Sequence, residues 1–183
     1  ASDWKSVSAG STTSFGFKTN GTLWAWGDNF FGQLGIKSST VLVPTQVDTA
    51  RDWKSISSGA NHTVALKTDG SLWSWGFNVY GQLGDGTDTD RNYPAKIGTA
   101  NDWQSVDAGE NFVIALKNDQ TLWAWGNNDF GQLGDGSYIE RRVPTKIEGS
   151  DWKSIAAGAE SSLAVKSDGT LWSWGYIIGR FGQ

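Results

Sequence analysis

The sequence predicts an all-β fold, a β-propeller of four-stranded antiparallel blades with four repeats present and the fourth incomplete. Three observations carry this reading. A landmark Asp-Trp pair recurs at Asp3-Trp4, Asp52-Trp53, Asp102-Trp103 and Asp151-Trp152, in steps of 49, 50 and 49 residues. The chain of 183 residues holds 24 Gly and 12 Trp, a composition of glycine turns and aromatic strands. Between the glycines lie short β-like runs, with no long apolar-periodic segment that would make a helix.

Other landmarks keep the same step. A Gly follows the Asp-Trp pair at Gly10, Gly59, Gly109 and Gly158, and Trp-x-Trp-Gly closes at Gly27, Gly76, Gly126 and Gly175. An aromatic-Gly-Gln-Leu-Gly run comes next at Phe31, Tyr80 and Phe130, whereas the last unit ends on Phe181-Gly182-Gln183. The chain thus reads as one propeller-repeat domain with units at 3–51, 52–101, 102–150 and a truncated 151–183.

Within the second unit, Lys54 to Gly59 and Thr63 to Lys67 read as the first two strands. Thr68-Asp69-Gly70 is a tight hairpin signal, because Gly accepts positive φ without steric cost. The third strand, Ser71 to Gly76, places Trp73 and Trp75 on one face and Leu72 and Ser74 on the other. After a long Gly-rich connection, Pro94 to Ile97 reads as a fourth strand, with Pro at the first position of an edge. A blade of this kind has two apolar faces that only neighbouring blades cover. Burying one Trp contributes at most about 4 to 6 kcal/mol, at about 25 cal/mol/Å² over roughly 150 to 250 Å². The repeated Trp are therefore assigned to packing between blades. In the third unit Gln120 stands where the others have Gly21, Gly70 and Gly169, which strains that turn by about 1 kcal/mol if φ stays positive.

Composition excludes several functions. With 38% hydrophobic and 19% charged residues the chain is in the globular range, and its formal charge of -4 speaks against a nucleic-acid partner. No run approaches the length of a membrane span and no signal-like segment opens the chain, so membrane insertion is not expected. Zero Cys removes thiol nucleophiles and zinc-thiolate sites and says nothing of compartment. One His, His62, is too little for a nucleophile-base constellation and reads as a satisfied structural residue at the start of the second strand. Its counterparts are Thr13, Phe112 and Ser161. The carboxylates of Asp85 to Asp90 loosely suggest a calcium loop but lack its Gly and distal Glu, and read as turn chemistry. The sequons at Asn20 and Asn61 are of a kind that arises by chance. No enzymatic activity, cofactor or metal is expected.

The order of Trp-Lys-Ser-Ile-x-x-Gly from Trp53, His-Thr-Val-Ala-Leu-Lys-Thr-Asp-Gly from His62, Leu-Trp-Ser-Trp-Gly from Leu72 and Tyr-Gly-Gln-Leu-Gly-Asp-Gly-Thr from Tyr80 resembles the regulator of chromosome condensation repeat family along the whole chain. The resemblance implies a propeller, usually of seven blades, which needs roughly twice this length. It also implies His as a framework residue at the position of His62. The last connection departs from the pattern, with Tyr176 to Arg180 between Gly175 and Phe181. An arc of four blades leaves a face and an edge open, consistent with a piece of a longer chain, one half of a ring closed by a second copy, or a small four-bladed ring. The similarity of the units and their Thr/Ser/Asn/Gly-rich loops resembles bacterial cell-surface or secreted repeat proteins, which implies an extracellular or cell-surface location.

Function is expected in the loops that differ between units. Two sets differ most: those joining strands one and two, and those after Trp-x-Trp-Gly. Both are expected on one face of the disc, and Asn29, Phe30, Asn61, Phe77, Val79, Asn111, Asn128 and Tyr176 are the candidate partner-binding residues. The predicted function is a protein-binding or scaffold module; the alternative is a self-assembling repeat protein whose open blade ends are the interfaces. The expected partner is a protein, including a second copy of the chain.

Overall fold

The computed structural model describes residues 2–176. The connection after Tyr176 and the shortened Phe181-Gly182-Gln183 motif lie outside the described residues. Each unit forms its own antiparallel sheet, its strands in sequence order. The first sheet holds β1 (Trp4–Ala9), β2 (Thr13–Lys18), β3 (Leu23–Asp28) and β4 (Thr40–Gln46). The second holds β5 (Trp53–Ser58), β6 (His62–Lys67), β7 (Leu72–Gly76) and β8 (Arg91–Lys96). The third holds β9 (Trp103–Ala108), β10 (Phe112–Lys117), β11 (Leu122–Gly126) and β12 (Arg141–Lys146). In the fourth, the described strands are β13 (Trp152–Ala157), β14 (Ser161–Lys166) and β15 (Leu171–Gly175). The sheets stand side by side as an arc of a β-propeller that does not close among the described residues.

The period-two alternation of β7 decides how blades meet. Leu72 joins Val64, Leu66 and Ile97 to pack on Trp103, Val113, Ala115 and Trp125 of the third blade. Trp75 and Ala65 turn the other way, against Phe15, Leu23 and Leu34 of the first. A leucine-bearing face thus meets a tryptophan-bearing face at every junction, and the third and fourth blades repeat this with Leu122 and Trp152. At the two ends of the arc nothing covers these faces among the described residues. Leu171 is 61% exposed, whereas Leu23, Leu72 and Leu122 are fully buried. The first strands are neighbours along the inner side of the arc, and their ends line an axial opening of about 550 Å³. Asp107 ties three blades there, accepting from Ser57 Oγ at 2.7 Å and from the Ala157 N–H at 2.8 Å.

A lysine over two tryptophans closes the opposite end of each blade, and in the first three an aspartate pairs with it. The register break beside Trp53 sets Lys67 across from it. The ammonium then lies 4.8 Å from the Trp53 ring, 4.6 Å from Trp73 and 3.0 Å from Asp52 Oδ1. The indole N–H of Trp73 donates to Ser71 Oγ, which donates to Asp69 of the turn. Asn20-Thr22-Trp24, Asp119-Thr121-Trp123 and Asp168-Thr170-Trp172 repeat this relay.

The fourth strand corrects the expected position of its proline. Strand β8 starts at Arg91 rather than Pro94, and Asn92 to Pro94 form an irregularity opposite Trp75, between the pairs Ser74↔Ala95 and Gly76↔Arg91. A bulge on an edge strand accommodates a residue that has no N–H to give.

The hairpin turns behave as the glycine pattern requires. Gly70 has φ +77° and donates to the Lys67 carbonyl at 3.0 Å. A Cβ there would stand 2.2 Å from the Asn101 carbonyl oxygen. Gln120 keeps the positive φ, at 64°, and its turn is fitted by a shorter linker, Ile147 to Trp152 instead of Ile97 to Trp103, in which Asp151 also takes φ 65°. The expected outcome is that Gln120→Gly raises stability by about 1 kcal/mol, whereas Gly70→Gln costs more than that because its Cβ also meets backbone. Urea unfolding of both variants checks this; a destabilised Gln120→Gly contradicts it.

Candidate binding face

The two variable loop sets do share a face. Each third strand hands its chain to the loop of the preceding hairpin: Asp28 N donates to Thr12 O, Phe77 N to Asn61 O, Asn127 N to Asn111 O and Tyr176 N to Glu160 O, at 2.8 to 3.0 Å. The long connection is then wound around one buried asparagine. Asn78 Nδ2 donates to the Thr87 and Thr89 carbonyls at 3.1 Å each, while its Oδ1 accepts the Leu83 N–H at 2.9 Å.

Asn29 and Asn128 occupy the same position, and this corrects their expected role. Asn128 is fully buried, donating to the Ser137 and Ile139 carbonyls and accepting from Leu133 N. Asn29 is 5% exposed and holds Ile36, Leu34 and Ser38 in the same way. Their amides are consumed inside the loop and offer nothing to a partner. The signal was present in the sequence, since Asn29, Asn78 and Asn128 are one residue type at one position while their neighbours differ.

The glutamine of each Gly-Gln-Leu-Gly run holds the loop to the next blade. Its Oε1 accepts the N–H of the aromatic two residues earlier, at 2.9 Å for Phe31, Tyr80 and Phe130. Its backbone carbonyl accepts the indole N–H of the following blade: Gln33 from Trp75 at 2.9 Å, Gln82 from Trp125 at 3.0 Å and Gln132 from Trp174 at 2.8 Å.

What projects beyond this frame is mostly apolar. Phe30 is 77% exposed, Val79 50% and Tyr176 52%. Phe77 is half-buried, its ring 4.8 Å from Phe31 and 6.2 Å from Tyr80, so it joins the loops of the first and second blades. Phe130 and Tyr176 make the matching pair between the third and fourth, at 5.2 Å. Asn61 and Asn111 are half-buried, Asn111 Oδ1 lying 3.5 Å from Gln82 Nε2. The same long connections carry Tyr138 and Ile139, 74% and 63% exposed, which sequence reasoning passed over because they have no counterpart in the frame. Arg142 bridges the loop rim of two blades through Asp88 at 3.0 Å.

The carboxylates of Asp85 to Asp90 do not converge. Asp85 pairs with Arg91 and caps Thr87, Asp88 pairs with Arg142, and Asp90 accepts from Asn78 N at 2.8 Å. Among the described residues no three His, Asp or Glu side chains gather as a metal site would require.

His62 begins the second strand, as its position suggested, but its ring is poorly satisfied: it is buried, and the Phe112 backbone, its nearest partner, is not within good hydrogen-bond geometry of either nitrogen. Burial drives its pKa from 6.5 to about 4, a shift that the nearby Phe112 backbone opposes only in part. Between those values the unfolded chain takes up a proton that the folded chain refuses. Its contribution to stability is therefore complete above pH 6.5 and declines toward pH 4, by at most about 3 kcal/mol. Phe112 fills the equivalent place in the third blade, so His62→Phe is expected to fold and to flatten the stability profile over that range. Urea titrations at several pH values check this; an unchanged acid profile in His62→Phe contradicts it.

Comparison with known proteins gives a consistent family. The model of the RCC1-like domain matches residues 2–182. The structure of Prp20p from Saccharomyces cerevisiae superposes with a TM-score of 0.83 at 28% identity, covering 96% of this chain and 46% of that one. Yeast RCC1 (Prp20) bound to Kap60 gives 0.85 at 28%, over 96% and 44%. Human WBSCR16, at 22% identity and a TM-score of 0.82 over 94% and 47%, shares the fold. The chain spans less than half the length of these structures. No curated protein matches it.

Proposed function

We propose that this chain, which belongs to the RCC1-like domain family, works as a protein-binding module that presents the long loops of one propeller face to a protein partner, without turnover. The observation that carries the reading is the division of labour in those loops. The asparagine and glutamine side chains that recur are used up in holding the loop, while Phe30, Val79, Tyr138, Ile139 and Tyr176 stand out of it. Exposed aromatic and aliphatic side chains on a rigid support lose little entropy on binding and are the usual anchors of an interface. The yeast relative Prp20p, at 28% identity, is described bound to Kap60 and in terms of its binding to Gsp1p and histones. That supports protein recognition by the fold without naming a partner for this chain.

Photo-reactive benzoylphenylalanine placed at position 30, 79 or 176 is expected to cross-link a partner from the host extract, and at Leu42 or Lys54 to give none. The double variant Phe30→Ala, Val79→Ala should lose that partner with little change in unfolding, as both side chains are half or more solvent-exposed. Cross-links confined to Leu42 and Lys54 would sink the reading.

A further inference from the structure

The third unit departs from the repeated frame at three positions that meet in space. Gln104 stands where the other units have Lys5, Lys54 and Lys153, Asn118 where they have Thr19, Thr68 and Ser167, and Gln120 where they have Gly21, Gly70 and Gly169. A lysine, a hydroxyl residue and a glycine are each replaced by a side-chain amide. At the hairpin end of the blades, across the internal junction between the third and fourth, these amides line one groove of about 410 Å³ together with Trp152, Lys153 and Ser167. That volume lies in the range of small-molecule sites, about 300 to 1,000 Å³.

Gln120 is pinned in a conformation that disfavours it. Its N–H donates to the Lys117 carbonyl at 3.0 Å, its carbonyl accepts the Trp152 N–H at 3.2 Å, and its φ is 64°. Glycine would relieve about 1 kcal/mol there. The side chain crosses the junction, with Oε1 accepting from Ser167 Oγ at 3.1 Å, which fixes the amide plane and leaves Nε2 to donate to a ligand. Asn118 and Gln104 are exposed beside it, each with a donor and an acceptor. Lys153 is also exposed and adds a positive charge, and no carboxylate lines the groove. Groups that donate and accept side by side match the vicinal hydroxyls of a sugar ring, and an ammonium among them matches a carboxylate. A strained residue kept where its side chain closes such a groove points to a binding role.

We propose that this groove binds an acidic saccharide, one that carries uronic acid units. The amides of Gln104, Asn118 and Gln120 bond to ring hydroxyls across the junction, and Lys153 pairs with the carboxylate. The site is at the other end of the blades from the variable loops, and it does not rest on the loop face binding a protein.

The test is isothermal titration calorimetry of the whole chain with digalacturonate and with dimannuronate. Saturable binding of at least one is expected, and its methyl ester, which keeps the hydroxyls and loses the charge, should bind about tenfold more weakly. Gln120→Gly and Asn118→Thr install residues that the other units already hold, so both variants fold. Each is expected to weaken binding about tenfold, a loss of about 1.4 kcal/mol. Gln120→Gly is the sharper variant, because it should raise stability while it lowers affinity, an outcome that no folding defect produces. Thr68→Ala, at the place of Asn118 in the second unit, should leave binding unchanged. No saturation with either disaccharide at millimolar concentration, equal binding of the methyl ester, or undiminished binding by Gln120→Gly overturns the proposal.

Discussion

Every other feature of this molecule depends on the meeting of a leucine-bearing sheet face with a tryptophan-bearing one. A four-stranded sheet of this size cannot cover both of its faces itself, so its stability resides in the junction with the next sheet. At each internal junction the contact is apolar and carries one directed bond that recurs unchanged, from an indole N–H to the carbonyl of a loop glutamine. The indole N–H is withdrawn from water at Trp75 and Trp125, so a change at the junction that moves the carbonyl away without admitting water leaves a buried donor without its partner. Packing between sheets and the conformation of the loop are thereby fixed by the same contact.

That coupling explains why the loop face is ordered although its connections are long and glycine-rich. The loop is held from three sides: an asparagine inside it, a glutamine side chain across its turn, and a tryptophan of the neighbouring blade on its backbone. None of these depends on the residues that differ between units. Positions such as Phe30 and Val79 are therefore free to change with little cost to the frame, which is the property that lets one scaffold carry different recognition surfaces. The ends of the arc have the opposite character. Leu171 repeats Leu23, Leu72 and Leu122, which the next blade covers, and among the described residues nothing covers it.

Much of the blade was legible because its signals are local and periodic. The spacing of Trp73 and Trp75 gave their common face, and Asp69-Gly70 gave a turn with positive φ. The strain at Gln120 was readable from one substitution in an otherwise repeated position. What escaped depends on contacts distant in sequence or on geometry that a residue type does not encode. Asn29 and Asn128 look like polar loop residues until the loop is seen to close around them. Pro94 sits within its strand because a bulge opposite Trp75 receives it, and no property of Pro94 alone announces that bulge. Asp48 accepts the Trp53 indole N–H at 3.1 Å, whereas Gly98 at the same position leaves the buried Trp103 N–H without a partner. Such differences between near-identical units arise from single side chains, and only the assembled junction shows which of them matter.

The central claim is that the junction, not the blade, carries the stability, and the direct measurement compares one substitution at two equivalent positions. Trp75 is fully buried and bonded to Gln33 of the preceding blade, whereas Trp26 is half-buried and has no preceding blade among the described residues. By urea unfolding, Trp75→Phe is expected to cost about 2 kcal/mol, through a lost hydrogen bond and a small cavity, and Trp26→Phe well under half of that. Equal losses at the two positions would contradict the account and place the stability within the individual sheets.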